Sequence, residues 1–198
     1  APTLFAAYIN DLPSQLTNLC KMYADDLKII AKAESEEDIR TLQSDLDKVA
    51  AWCDTWLMLP NISKCKIMNI GGTKRVYSLF NAQVEKITLS NTLEERDLGI
   101  ILTPDFKFSA QAALSASKAS SVFGMLKRTF MSRDVEIWIS LYRTYIRPQL
   151  EFAVSAWNCY LKRDISIIEK VQRRVTRLPT SLKGRKYEER CEWMKLTT

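Results

Sequence analysis

Histidine is absent from the 198 residues, and cysteine occurs only five times. Without histidine, the chain cannot carry a Ser-His or Cys-His nucleophile or a histidine general base. The cysteines are scattered, odd in number and form no CxxC pair, which argues against a zinc site or a disulfide framework and fits a reducing compartment. Any chemistry must therefore rely on carboxylates, lysines or metal ions.

Long apolar runs are also missing. No stretch approaches the roughly 18 uninterrupted apolar residues of a membrane span, and residues 1–11 have neither a basic n-region nor a small-residue cleavage site. With 46% hydrophobic and 26% charged residues, the composition is that of ordinary globular protein. We expect a soluble chain of one or two small domains, without a membrane partner, in the nucleus or the cytoplasm.

The net charge of +6 is unevenly distributed along the chain. Residues 1–117 contain 12 Lys or Arg against 15 Asp or Glu, whereas residues 118–198 contain 17 against 8. A basic second part is the expected footprint of a polyanionic partner, although a basic helical face that simply stays solvated gives the same count. Charge alone does not distinguish a polyanion-binding surface from a solvated helical face.

The acidic first part combines strand and helix signals. Two short apolar arms flank Ala24-Asp25, which predicts a β-hairpin with its turn at the acidic residues. Ser35 and Asp38 form a capping-box pattern before apolar residues spaced by three and four, which predicts a helix that stops at Pro60-Asn61. Short strands are predicted over residues 64–70, 76–80, 84–89 and 98–102.

The pattern becomes helical from Ser109 onward. Three helices are predicted: one from Ser109, one over residues 133–147 that ends before Pro148, and one over residues 164–178. The second of them is expected to bury Trp138, Leu141, Tyr142 and Tyr145. In the last of them the inward stripe is Ile165, Ile168, Val171 and Val175, and the outward side carries Lys170, Arg173, Arg174 and Arg177. The fold class is therefore α+β, an antiparallel sheet with helices followed by an all-α bundle, with the joint at Pro104-Asp105.

Asp25 and Asp26 are the candidates for chemistry. Nucleotidyl transfer needs carboxylates close enough to share two divalent ions, one activating the attacking hydroxyl and one stabilising the leaving oxygens. Adjacent aspartates at a strand turn are more often solvated turn formers. The apolar arms on both sides favour the metal-binding reading here.

Several segments in order resemble the reverse transcriptases of LINE-type (non-LTR) retrotransposons. The matching segments are Tyr8-Ile9-Asn10-Asp11-Leu12-Pro13, Tyr23-Ala24-Asp25-Asp26, Asn61-Ile62-Ser63-Lys64-Cys65-Lys66, Asp97-Leu98-Gly99-Ile100, Ile146-Arg147-Pro148, Ala156-Trp157, Val171-Gln172-Arg173-Arg174 and Tyr187-Glu188-Glu189-Arg190. The resemblance implies a partial palm over residues 1–104, a helical thumb over 105–180 and a post-thumb segment over 181–198.

The resemblance also implies roles for single residues. Asp25 would bind the catalytic Mg²⁺ ions with Asp26 as its supporting carboxylate, and Lys64 would be the acid that protonates pyrophosphate, with Lys66 as a close rival. An RNA template paired with a DNA primer would be the partner. The residues expected to contact this duplex are Tyr23, Lys170, Arg173, Arg174 and Arg177.

In this family a further metal-binding aspartate precedes the carboxylate hairpin, and the present residues do not include its strand. We therefore expect a polymerase fragment with a partly encoded two-ion site that is inactive as this chain alone. The alternatives are a non-catalytic nucleic-acid-binding module and a structural remnant of a retroelement. A palm without its first strands would expose a sheet edge, so pairing of a second copy is a further hypothesis.

Overall fold

The computed structural model describes residues 2–72, 74–80 and 86–196, and the chain divides into two compact units, Ala1–Thr92 and Leu93–Thr198. Both contain helices and small sheets, which confirms the α+β class. The division lies between Thr92 and Leu93, ahead of the expected joint at Pro104-Asp105. The reason is local: the strands over residues 95–102 are tied to the helices that follow them.

The first unit begins with a short helix and a hairpin. Its elements are α1 (Pro2–Ile9), β1 (Leu19–Tyr23), β2 (Asp26–Ile30), α2 (Glu36–Thr55), β3 (Lys66–Ile67), β4 (Ser78–Phe80), β5 (Lys86–Thr88) and β6 (Ser90–Asn91). Single 3-10 turns lie at Leu12–Gln15 and Ile62–Lys64. The core consists of the buried side chains of Ile9, Leu12, Val49 and Trp52.

The helix α2 begins as predicted, with a complete capping box. The Asp38 backbone N–H donates to Ser35 Oγ over 3.0 Å, and the Ser35 N–H donates to the Asp38 carboxylate over 2.8 Å. The predicted end at Pro60 is wrong, because Leu57 takes a left-handed φ of +55° that ends the helix at Thr55. The Leu57 and Met58 N–H groups then donate to the last open carbonyls, in the manner of a Schellman motif.

The remaining strands of the first unit are shorter than predicted. The strands β4 and β5 pair antiparallel, whereas β3 and β6 pair parallel over two residues. The predicted start of a strand at residue 84 lies outside the described residues. The amide side chain of Gln43 binds both the N–H and the C=O of Ser78, which attaches β4 to α2.

The second unit is mostly helical. Its elements are β7 (Glu95–Asp97), β8 (Ile100–Leu102), α3 (Ser109–Thr129), α4 (Val135–Leu141), α5 (Arg147–Glu151), α6 (Val154–Trp157), α7 (Lys162–Thr176) and α8 (Tyr187–Trp193). Its largest core combines residues of α3, α4, α7 and α8 with the chain end up to Leu196. Residues 182–196 therefore contribute side chains to this core.

The strands β7 and β8 form a hairpin with a two-residue turn at Leu98 and Gly99, so the predicted strand start at Leu98 is wrong. Both turn residues have positive φ, +45° and +90°, as the turn type that matches strand twist requires. A Cβ on Gly99 would approach the Phe152 ring to 3.1 Å. Gln111 of α3 accepts the Ile101 N–H over 3.0 Å, which attaches the hairpin to the helices.

The prediction that a helix ends before Pro148 is wrong. A π-helical turn over Tyr142–Ile146 joins α4 to α5, and Pro148 lies in the first turn of α5. In that position the missing N–H of proline costs no helical hydrogen bond, because the wider π turn before it changes which backbone groups are paired. The shift also turns Tyr145 outward, with 51% of its surface exposed, so its predicted burial is wrong.

The helix predicted at residues 164–178 is present as α7, two residues earlier at each end. Val171 and Val175 are buried, but Ile165 is 46% exposed and was wrongly placed on the inward stripe. Instead, Asp164 is the buried residue at this end, where it accepts the Ser109 hydroxyl over 2.6 Å. Across the described ranges, no helix combines the length and the apolar character that crossing a membrane demands.

Candidate carboxylate hairpin and basic helix

The hairpin predicted around Asp25 is confirmed. The strands β1 and β2 pair antiparallel from Leu19 opposite Ile30 to Tyr23 opposite Asp26, and Ala24 and Asp25 form the turn. Ala24 takes a φ of +50°, a conformation that costs an L-residue about 1–2 kcal/mol. The Asp25 carboxylate therefore lies in a tight turn, and Asp26 is the first residue of β2.

Apolar residues on one side of the hairpin attach it to the first unit. Met22, Leu27 and Ile29 pack against the core around Val49 and Trp52. On the other side of the hairpin, Lys21 and Tyr23 are exposed. The result is a turn that projects from a packed support, so the two carboxylates reach solvent while their backbone is held.

Asp25 and Asp26 are both exposed and adjacent. Two such carboxylates can supply oxygen ligands to a divalent cation, but two ions in a complete site require more of them. Within the described residues, no cluster of three or more His, Cys, Asp or Glu side chains is arranged to hold a metal ion. The residues present therefore fit one part of a two-ion site, and no reaction step follows from them alone.

Asp45, which the sequence reading did not select, holds the chain just before the hairpin. Its buried carboxylate accepts the Thr17 and Asn18 backbone N–H groups at 2.9 and 2.8 Å, the Asn18 side-chain amide at 2.8 Å and Lys48 Nζ at 3.0 Å. Burial alone would raise its pKa, but these hydrogen bonds outweigh it and lower the pKa to about 2. The sequence signal for this role is that Asp45 is an aspartate within the apolar stripe of α2.

The two candidate acids differ in their surroundings. Lys64 lies at the end of a 3-10 turn and is exposed, whereas Lys66 Nζ in β3 donates to Ser90 Oγ over 2.9 Å. Both belong to the same compact unit as the hairpin. Among the described residues, no hydrogen bond or ion pair joins Lys64 to Asp25 or Asp26.

The four basic residues of the last predicted helix are exposed on α7 and just after it, as expected, but they differ in their contacts. Arg173 donates to Glu169 over 3.1 Å and lies 4.4 Å from the centre of the Tyr187 ring, so the protein itself engages its charge. Arg174 lies over the Phe123 ring at 5.6 Å. Lys170 and Arg177 are exposed.

Tyr23, the remaining residue expected to contact nucleic acid, ends β1 directly before the turn. It is 67% exposed and stands opposite Asp26 in the hairpin register. The hairpin thus brings together Tyr23, Asp25 and Asp26, whereas the basic residues belong to the second unit.

Enzymes of nucleotidyl transfer bind their metal ions through carboxylates. The exposed aspartate pair on the packed hairpin can supply part of that set of ligands. The family model described as reverse transcriptase (RNA-dependent DNA polymerase) matches residues 1–115, more than half of the chain, and includes this hairpin. The chain therefore belongs to the reverse transcriptase family, whose members generally use Mg²⁺ and bind an RNA template and a DNA primer. Neither a curated protein nor a solved structure matches it.

Proposed function

We propose that the chain is a portion of a non-LTR retrotransposon reverse transcriptase. Residues 1–104 would be part of the palm, 105–180 the thumb and 181–198 a post-thumb segment that packs back on the thumb helices. The observation that carries the proposal is the exposed Asp25-Asp26 pair on a hairpin whose inner face is anchored in the core. The β7–β8 hairpin, which resembles the family's primer-grip strand, is attached to the helices through Gln111.

In this proposal Asp25 binds Mg²⁺ and Asp26 supports it. The ions, when bound, supply charge neutralisation at the attacking and leaving oxygens. The chain itself presents the two carboxylates and fixes their backbone through the packed arms of the hairpin. Lys64 remains the candidate for protonating pyrophosphate, and Lys66, whose ammonium uses one of its three N–H donors on Ser90, remains its rival.

The basic residues of α7 and Tyr23 are proposed to contact an RNA–DNA duplex. Phosphate contacts of this kind position a duplex without reading its sequence. An intracellular setting, nuclear or cytoplasmic, is part of the same proposal because the template is RNA. Pairing of a second copy along an exposed sheet edge stays a prediction.

We expect residues 1–198 alone to produce no primer extension. Two adjacent carboxylates are too few to hold two Mg²⁺ ions in the geometry of in-line displacement. The measurement is Mg²⁺-dependent extension of a DNA primer on an RNA template, with the Asp25→Ala, Asp26→Ala double variant as control. Product that appears with the wild-type chain and vanishes in the control would mean that these 198 residues hold a complete site.

A second candidate function is nucleic-acid binding without chemistry. The basic excess of residues 118–198 favours it, because that excess is independent of the carboxylate hairpin. Two results together would support this candidate. The chain without both aspartates would still bind duplex, and longer polypeptides that contain this chain would not extend a primer. A chain with neither property would be a structural remnant.

A further inference from the structure

A shallow groove lies where α3 and α7 pack together in the second unit. It encloses about 300 Å³ and is lined by Phe123, Gly124, Lys127, Arg174, Arg177 and Leu178. Three of these six residues are cationic. Lys127 lies on α3, whereas Arg174 and Arg177 lie on α7 and just after it, about fifty residues further along the chain. No local sequence pattern therefore predicts the cluster.

The three cations of the groove are exposed and not neutralised by the protein. Among the described residues, no carboxylate lies within ion-pair distance of Lys127, Arg174 or Arg177. Arg173, the residue directly before Arg174 on α7, is instead paired with Glu169. Like charges held together without counter-ions cost free energy unless an anion covers them.

The groove also has a defined floor. The Arg174 guanidinium lies 5.6 Å from the centre of the buried Phe123 ring and contacts Ser120 Oγ at 3.5 Å, which directs it over the groove. Gly124 contributes no side chain, and a Cβ placed there would meet only Arg128 Nη1, at 3.9 Å. An anion can therefore approach the helix surface between the three cations.

We propose that Lys127, Arg174 and Arg177 form one binding site for the sugar-phosphate backbone of a nucleic-acid duplex, in which each cation neutralises one of the successive phosphates. The arginines offer forked donors that match phosphate oxygens, and Lys127 adds a point charge from the facing helix. The site holds the backbone without reading bases, because the groove is shallow and its donors are all cationic. The identity of the duplex as RNA–DNA rests on the proposed function, whereas the phosphate site does not.

The test is fluorescence anisotropy of a labelled RNA–DNA duplex titrated with the full chain across a KCl series. Each phosphate that a protein cation neutralises releases about 0.9 counter-ion from the duplex, so Lys127→Ala, Arg174→Ala and Arg177→Ala should each weaken binding about five- to tenfold near 0.1 M salt. Each should also reduce the slope of log K against log[KCl] by about one unit. Two duplexes of unrelated sequence should respond alike.

Lys118→Ala is the matched control. Lys118 is an exposed lysine of α3 nine residues before Lys127, which places it about half a turn round the helix, away from the groove. It should change affinity by less than about twofold. The charge-retaining Arg174→Lys, Arg177→Lys variant should keep the salt slope, and thermal melts followed by circular dichroism should show that all variants fold.

If the groove variants bind like Lys118→Ala while the wild-type chain binds duplex, the phosphate site is wrong and the nucleic-acid function stands. A wild-type chain that binds no duplex would overturn both proposals. Loss of binding in the groove variants, with binding kept in Asp25→Ala, Asp26→Ala, would support the site independently of any polymerase chemistry.

Discussion

Replacing Asp45 by asparagine is expected to reduce the free energy of unfolding of the first unit by about 2–4 kcal/mol. The substitution keeps the shape of the side chain but removes a buried charge that accepts four hydrogen bonds, and it turns an N–H₂ group toward backbone donors. Amide hydrogen exchange of peptides from α2 and the β1–β2 hairpin measures this loss. Because Thr17 and Asn18 directly precede β1, faster exchange should extend into the hairpin.

The same carboxylate predicts a pH dependence. Its pKa of about 2 in the folded chain lies below the ordinary aspartate value of 3.8, so ionised Asp45 stabilises the fold. This contribution, roughly 2 kcal/mol, is fully present above pH 4 and is lost as the pH falls through 2. The difference in stability between wild type and Asp45→Asn should therefore shrink from pH 5 to pH 2.

Asp47→Asn is the control for both measurements. Asp47 is an exposed aspartate on the same helix whose carboxylate, within the part of the chain that the structure describes, accepts only the Gln43 amide, a bond that asparagine can retain. Its replacement should change stability by less than about 0.5 kcal/mol. Equal effects of the two substitutions would show that Asp45 does not hold the loop before the hairpin.

Replacing Trp138 by alanine is expected to destabilise the second unit by about 3–5 kcal/mol. The Trp138 side chain is fully buried, its Nε1–H donates to the Ser132 carbonyl over 2.9 Å, and its ring meets Phe123 edge to face at 6.0 Å. Since Phe123 also lines the basic groove, the cavity would loosen the support of the phosphate site. Hydrogen exchange of α3 and α4 gives the measurement.

Trp193→Ala supplies the matched comparison. Trp193 lies in α8 of the same unit with 42% of its surface exposed, so its loss should cost far less than that of Trp138. A similar cost for both tryptophans would contradict the assignment of Trp138 to the core.

The hairpin and the start of α2 could be predicted because their signals are local. Apolar arms around Ala24-Asp25 specify a two-residue turn, and Ser35 with Asp38 specifies a helix start within four residues. The end of α2 was not predictable in this way, because it depends on Leu57 adopting a conformation that usually selects glycine. The family resemblance named the carboxylate pair, and the family comparison covers that segment.

Features that depend on tertiary contacts escaped prediction. Pro148 ordinarily argues for a helix end, and only the preceding π turn lets the helix continue. At the start of α7 the buried residue is Asp164, which accepts the Ser109 hydroxyl, and not Ile165, although Val171 and Val175 further along the helix are buried. Lys127 joins Arg174 and Arg177 only through the packing of α3 on α7, so charge counting along the sequence could not select it.

The Asp25-Asp26 hairpin is proposed to be a metal-binding segment of a reverse transcriptase. The most direct measurement is paramagnetic broadening of amide NMR signals in residues 1–198 on titration with Mn²⁺, a probe for Mg²⁺. We predict selective broadening of residues 24–27 in about the millimolar range expected for two carboxylates, abolished by Asp25→Asn, Asp26→Asn. Broadening that is centred elsewhere, or that persists in this variant, would contradict the claim.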